Sequence, residues 1–163
     1  MTAALGAGRW ARAGRWLGTL GGIGRAPVAP GTVGSAAAAV AAAALPATAY
    51  GWALPALLVA AVALAPACAR AAAAASGVED PRSFVLDEAA GMWLALLRPA
   101  PPGWAVIAVS FAAFRLFDIW KPGPIRRLER VGGGWGVLLD DLAAGALALV
   151  VSIGFGAAAA HIG

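Results

Sequence analysis

Five acidic residues sit at the mouths of hydrophobic stretches: Asp87 and Glu88 in VLDEAAGMWLALL, Asp118 in FRLFDIWKP, and Asp140 and Asp141 in GVLLDDLAAG. A carboxylate beside hydrocarbon costs free energy unless a cation offsets it, so acids placed this way mark a site. Oxygen-only ligands suit a hard cation such as Mg²⁺, which keeps part of its water and bridges protein carboxylates to a substrate phosphate. Arg115 and Lys121 each stand three residues from Asp118 on one helix face, an Arg–Asp–Lys row that offers a carboxylate for a cation and two charges for a phosphate. The chemistry that follows is metal-assisted attack on phosphorus, with a carboxylate nucleophile forming an aspartyl-phosphate as the second route.

What the chain lacks prunes the alternatives. Cys68 is the single cysteine and lies in an Ala-rich span; Cys68-Ala-Arg70 is no thiolate phosphate loop, and a buried, inert thiol is expected. His161, the single histidine, stands next to the carboxy terminus, which leaves neither an imidazole metal site nor a histidine nucleophile among the acids.

The segment GRAPVAPGTVGS, Gly24–Ser35, runs through Pro27 and Pro30 to a predicted helix start. There Gly31, Thr32, Gly34 and Ser35 can offer hydroxyls and backbone N–H groups to an anion, or simply cap a helix after a Pro/Gly turn. It lacks the Gly-Lys-Ser/Thr ending of a Walker A loop. Neighbouring residues on a helix diverge by about 100°, so Asp140 and Asp141 cannot both face one ion squarely, and neither can Asp87 and Glu88. Gly145 lies four beyond Asp141 and Gly91 four beyond Asp87, which leaves room beside each acid. Glu79, Asp80 and Glu129 read as solvated loop residues, and Arg126, Arg127 and Arg130 as a basic interfacial anchor.

These groups need elements to hold them. The chain is 61% hydrophobic and only 12% charged, with mean hydropathy +0.81, far from the roughly 25% charge of a soluble domain. The expected fold is an all-α polytopic membrane helix bundle of about four to five spans, over Val33–Tyr50, Leu54–Ala75, Ser83–Leu97, Gly103–Ile119 and Gly136–Ala160. The first is weakened by Pro46 and the third is short. The whole of 1–163 reads as one membrane-embedded domain, in which 1–24 form a basic, amphipathic interfacial segment rather than a removable signal peptide. The net charge of +4 and pI near 10.6 fit basic loops against an anionic leaflet; no basic stripe with interleaved aromatics suggests nucleic acid.

Orientation follows from the cations. Eleven of the twelve Lys and Arg residues fall on one predicted side and only Arg98 on the other, which puts the amino terminus in the cytoplasm. All five acids then lie near the cytoplasmic ends of their spans, an active face toward the cytoplasm. A rival reading, a small membrane transporter or ion-conducting subunit, predicts polar residues continuing to the far face; the outer halves of the spans carry Ala, Val, Leu and Trp and no acid.

APGTVGS, VLDEAAGMW, FRLFDIWKPGPI and GVLLDDLAAG, in this order and spacing, resemble the four motif blocks of the phosphatidylglycerophosphatase A family over roughly residues 21–150. The resemblance implies a Mg²⁺-dependent phosphatase of the bacterial inner membrane. Its implied substrate is the phospholipid phosphatidylglycerophosphate, cleaved to phosphatidylglycerol and phosphate on the way to anionic phospholipids and cardiolipin. Carried over, the polar motif positions are Thr32 and Ser35, then Asp87 and Glu88, then Arg115, Asp118 and Lys121, then Asp140 and Asp141. On this reading Asp87, Asp118, Asp140 and Asp141 hold metal, Glu88 is a ligand or general base, and Lys121, Arg115, Thr32 and Ser35 contact phosphate. Gly123 and Trp135 depart from the family pattern in loop shape and remove no polar group.

Overall fold

The computed structural model describes residues 2–79, 81–128, 131 and 133–162, so the readings made above for Asp80, Glu129 and Arg130 lie outside the described residues. The described elements are all helical: α1 (Thr2–Gly18), a 3₁₀ turn (Leu20–Arg25), α2 (Pro30–Ala43), α3 (Ala47–Ser76), α4 (Leu86–Ala95), α5 (Trp104–Trp120), α6 (Gly123–Leu128) and α7 (Gly133–Ile162). Two stretches are long and apolar enough to cross a membrane, Ala47–Ser76 and Gly134–His161, with mean hydropathy of 2.0 and 2.1.

The boundaries differ from the sequence expectation for identifiable reasons. The expected first span is broken at Pro46, as its sequence suggests: α2 stops at Ala43 and Pro46 caps the start of α3, so the end of that span, Ala47–Tyr50, belongs to the second. A proline fits the start of a helix, where its missing N–H has no intrahelical partner to lose. α3 then runs through Pro55 and Pro66 to Gly77, whose left-handed backbone (φ 73°) closes it with an N–H donated to the Ala73 carbonyl at 2.9 Å. The expected third span shrinks to the ten residues of α4, about 15 Å of helix, half of what a bilayer core requires.

α4 is instead the centre of the bundle, packed against α2, α3, α5 and α7. Its sequence permits this, since Ala89, Ala90, Gly91 and Ala95 let neighbouring backbones come close. Polar side chains pin it at fixed points. Trp93 Nε1 donates to the Ala38 carbonyl of α2 at 3.0 Å, and Tyr50 of α3 donates its hydroxyl to Leu96 O at 2.9 Å. Just past the helix, Arg98 donates to Ser152 Oγ of α7 at 2.7 Å. Each bond satisfies a group that burial would otherwise leave costly.

The outer face of the long helices is apolar. Val59 on α3 and Val150 on α7 are 67% and 68% exposed, and Trp104 and Trp120 mark the two ends of α5. α1 lies against α3, with Gly14 beside Ala71 and Cys68, while Trp10 and Trp16 face outward. Cys68 is buried, as expected.

Candidate active site

Four helix ends meet at one cavity of about 740 Å³: the N-termini of α2 and α4, the C-terminus of α5 and the first turns of α7. All five acids singled out in the sequence line it, together with Arg115 and Lys121. α4 supplies Asp87 and Glu88 in its first turn, where the positive end of the helix dipole favours negative charge. Asp87 Oδ1 accepts the Glu88 N–H at 3.0 Å, and Asp140 Oδ1 accepts the Asp141 N–H at 3.1 Å, so each adjacent pair is fixed by its own backbone.

Within the cavity the acids divide into two groups. One oxygen from each of Asp87, Glu88 and Asp141 lies within 4.8 Å of the other two, so the neighbours Asp87 and Glu88 reach one point despite the divergence of about 100° that argued against it. Glu88 Oε2 and Asp141 Oδ1 are buried and meet no hydrogen-bond donor among the described residues. Asp118 and Asp140 are engaged instead: Arg115 pairs with Asp118 at 2.6 Å, and Lys121 with Asp140 at 2.5 Å. The sequence reading gives Asp87, Asp118, Asp140 and Asp141 as metal ligands and Glu88 as ligand or general base; in the structure Asp118 and Asp140 each pair with a cation, while the oxygens that stand together are those of Asp87, Glu88 and Asp141.

With ten residues α4 is too short to cross a bilayer core, and its acids feel their burial directly. Loss of water pushes the Asp87 carboxyl well above the usual range, and the neighbouring charges of Glu88 and Asp141 push it further. Burial raises Glu88 too, with Arg115 pulling the other way. Three carboxylates this close resist simultaneous ionisation unless a cation joins them.

Local backbone makes the arrangement possible. Gly31 enters the cavity wall at the start of α2, where a Cβ would run into Glu88 Oε1 and lie 3.6 Å from a terminal nitrogen of Arg115. Lys121 ends α5 in the left-handed region (φ 45°), unusual for a side chain with a Cβ, and this bend directs the chain into α6 while its ammonium reaches Asp140. Gly91 and Gly145, read in the sequence as room beside the acids, face each other where α4 crosses α7.

The Ser/Thr motif positions stand differently from the acids. Ser35 is fully buried behind Arg115, donating to Gly31 O at 2.8 Å and accepting from Arg115 at 3.4 Å; neither it nor Thr32 lines the cavity. Glu79 and Arg82, from the loop before α4, do line it. Both are exposed, in keeping with the solvated-loop reading of Glu79, and no local motif marks their place at the cavity.

Comparison with known proteins bears on the same residues. The family model described as phosphatidylglycerophosphatase A matches residues 16–155. A phosphatidylglycerophosphatase A of Escherichia coli K12 is 37% identical over 128 residues, 77% of this chain and 73% of its own length. A Bacteroides thetaiotaomicron protein, provisionally named a phosphatidylinositol-3-phosphatase, is 40% identical over 144 residues, 83% of this chain and 88% of its own. A phosphatidylglycerophosphatase A of Haemophilus influenzae is 41% identical over 76 residues, 46% of this chain and 47% of its own. No solved structure matches at a significant level. With the family model covering most of the chain and every residue that lines the cavity, the chain belongs to the phosphatidylglycerophosphatase A family.

Proposed function

We propose that this protein hydrolyses the terminal phosphomonoester of phosphatidylglycerophosphate, releasing phosphatidylglycerol and phosphate. The observation that carries the reading is the cluster of Asp87, Glu88 and Asp141 oxygens within 4.8 Å, set in a cavity that also holds Arg115 and Lys121. Negative and positive groups side by side suit a ligand that is itself a divalent cation joined to a phosphate.

The donor set fits Mg²⁺. All its atoms are carboxylate oxygens, and the buried, unpartnered Asp141 Oδ1 and Glu88 Oε2 are the kind of atoms a hard cation satisfies. Asp87, Glu88 and Asp141 would hold the ion, with Asp118 and Asp140 at the same cavity. Bound there, Mg²⁺ supplies charge to the phosphoryl oxygens and lowers the pKa of water.

The chain's own side chains do the rest. Arg115 and Lys121, steadied by Asp118 and Asp140, stabilise the charge on the phosphoryl group as it transfers. Glu88, which lines the same cavity, serves as the base that takes a proton from the attacking water. The water oxygen bonds to phosphorus, the phosphorus–glycerol oxygen bond breaks, and the leaving oxygen departs as the hydroxyl of phosphatidylglycerol with a proton from solvent.

The acyl chains remain in lipid beside the apolar outer face. The protein is a multi-pass component of the bacterial inner membrane, with α2 and α5 adding to the two long helices and the cavity toward the cytoplasm. Trp104 and Trp120, 74% and 64% exposed, lie about 24 Å apart along α5, a spacing that suits the two interfacial belts. A transporter would need polar groups through the far half of the bundle, and the acids stop at one end.

Phosphate release from phosphatidylglycerophosphate in mixed micelles, with Mg²⁺ and with EDTA, tests the proposal. Phosphatidylinositol 3-phosphate and phosphatidic acid serve as competing substrates. Release that needs Mg²⁺ and favours phosphatidylglycerophosphate is expected; release from the inositol lipid alone would reassign the substrate, and none from any lipid would refute the reaction.

A further inference from the structure

A second hollow, a groove of about 440 Å³, shares no lining residue with the acidic cavity. Helical spacing builds it. Leu57, Ala60, Ala61 and Leu64 stand at i, i+3, i+4 and i+7, one stripe of α3, while Leu86 and Trp93, seven apart, form one stripe of α4. Two methyl-sized side chains between two exposed leucines make the depression on α3. The end of α1 adds a further wall with Trp16 and Leu17, and the turn after it adds Leu20 and Gly21. Gly21 has a left-handed backbone (φ 69°), and a Cβ there would come within 3.3 Å of the Trp16 ring, so the indole lies on bare main chain. No lining side chain carries a charge.

The groove and the acidic cavity lie on two sides of one short piece of chain. Phe84 and Asp87 line the cavity and Leu86 lines the groove, while Val85 between them donates its N–H to Gly18 O at the end of α1, at 2.8 Å. From Leu86 the groove runs away from the acids. α3 and α4 are antiparallel, since Tyr50 near the start of one bonds to Leu96 just past the end of the other, so Leu86 lies toward Leu64 and Trp93 toward Leu57. Seven residues of helix cover about 10 Å, roughly a third of the hydrocarbon depth. A phospholipid with its headgroup among the acids sends its chains in this same direction. Lipid tails are as apolar as leucine, so what retains a chain here is the shape of the groove and the tether to a bound headgroup.

We propose that one acyl chain of the phospholipid substrate lies in this groove, against the outer face of α3 and α4, while its headgroup occupies the acidic cavity. This rests on the lipid phosphatase reading and deepens it, because the groove then favours a membrane lipid over a water-soluble phosphomonoester. The start of α4 serves both ends of one molecule, Leu86 meeting the chain and Asp87 the headgroup's site.

Substitutions at two neighbouring positions of α3 separate the groove from the general lipid-facing surface. Ala60→Trp fills the groove, and Val59→Trp puts the same bulk on an exposed position outside it. The substrates are phosphatidylglycerophosphate in phosphatidylcholine vesicles and its deacylated, water-soluble headgroup. Ala60→Trp is expected to lower kcat/KM for the lipid relative to the headgroup about tenfold, by misplacing the tethered phosphate, and Val59→Trp to leave that ratio unaltered. Equal ratios in the two variants overturn the proposal. A readout without turnover uses phosphatidylglycerol carrying a mid-chain diazirine in the same vesicles. Crosslinks on the unaltered protein are expected at the buried Leu86 and Trp93, and Ala60→Trp should remove them. Crosslinks confined to the exposed Val59 and Val150 overturn the proposal, and this arm decides should Ala60→Trp fail to fold. Failure of the unaltered protein to release phosphate from any lipid counts against the reaction, and the crosslinks then judge the groove alone.

Discussion

Gly145 of α7 rests directly on the backbone of Gly91 in α4: a Cβ on Gly145 would collide with the Gly91 carbonyl, and one on Gly91 would come within 2.7 Å of the carbonyl oxygen of Asp141. The contact sits one turn beyond the acids on both helices, so it sets how near Asp87 and Glu88 stand to Asp141.

Gly145→Ala drives a methyl into the Gly91 backbone and forces the two helices apart, at a cost of about 1–3 kcal/mol for an overfilled core. Phosphate release should fall further than stability does, because the oxygens that share an ion are parted. The check is to measure the melting temperature and the Mg²⁺ dependence of the rate together; a variant that loses stability but keeps its Mg²⁺ half-saturation would break the link.

Asp87→Asn, Glu88→Gln and Asp141→Asn should each lower the maximal rate by roughly 10²-fold or more and raise the Mg²⁺ needed for half-saturation. Asp118→Asn and Asp140→Asn loosen Arg115 and Lys121, so their larger effect should be on lipid KM. Kinetics of the five variants across a Mg²⁺ series test this division, and a uniform effect in all five would erase it.

The Lys121–Asp140 pair joins the end of α5 to α7, with Asp140 6% and Lys121 27% exposed at the side chain. Removing either partner strands the other charge in a partly dry cavity. A double-mutant cycle with Lys121→Met and Asp140→Asn should give a coupling of about 1–3 kcal/mol in stability, discounted for the exposure of the lysine. Additive losses would show the pair to be decorative.

The raised carboxyls set a pH dependence. Above the ordinary Asp value of 3.8, the folded protein without metal keeps a proton on Asp87 that the unfolded chain has released. Stability therefore falls as pH rises through the window between 3.8 and the higher folded value. Mg²⁺ competes with those protons, so its apparent affinity should climb with pH over the same window and then level off. Melting curves with and without Mg²⁺ at stepped pH check both signs; a metal-free protein that gains stability across the window contradicts the burial of Asp87.

The cavity was legible in the sequence because its acids and cations occur at helix ends with intervals that a 3.6-residue turn converts into shared faces. Arg115, Asp118 and Lys121 needed nothing else. Assigning partners across helices was another matter: which acid meets Lys121 and which meets Glu88 depends on how α5 and α7 are rotated, and that is set by contacts such as Gly91 on Gly145, for which no single stretch carries the information. Helix limits were misjudged where hydropathy alone was used. Pro46 starts α3, and α4 stops after ten residues because its neighbours, rather than lipid, provide its apolar surroundings. Glu79 and Arg82 escaped notice since only the return of the chain after α3 brings that loop to the cavity.

The brevity of α4 has one more consequence. Tyr50 binds Leu96 O just past its far end and Arg98 binds Ser152, and none of these four lines the cavity. The charged lining therefore stops at the acid-bearing end of α4, and the close seam of Gly91 on Gly145 lies behind it as a floor for the headgroup.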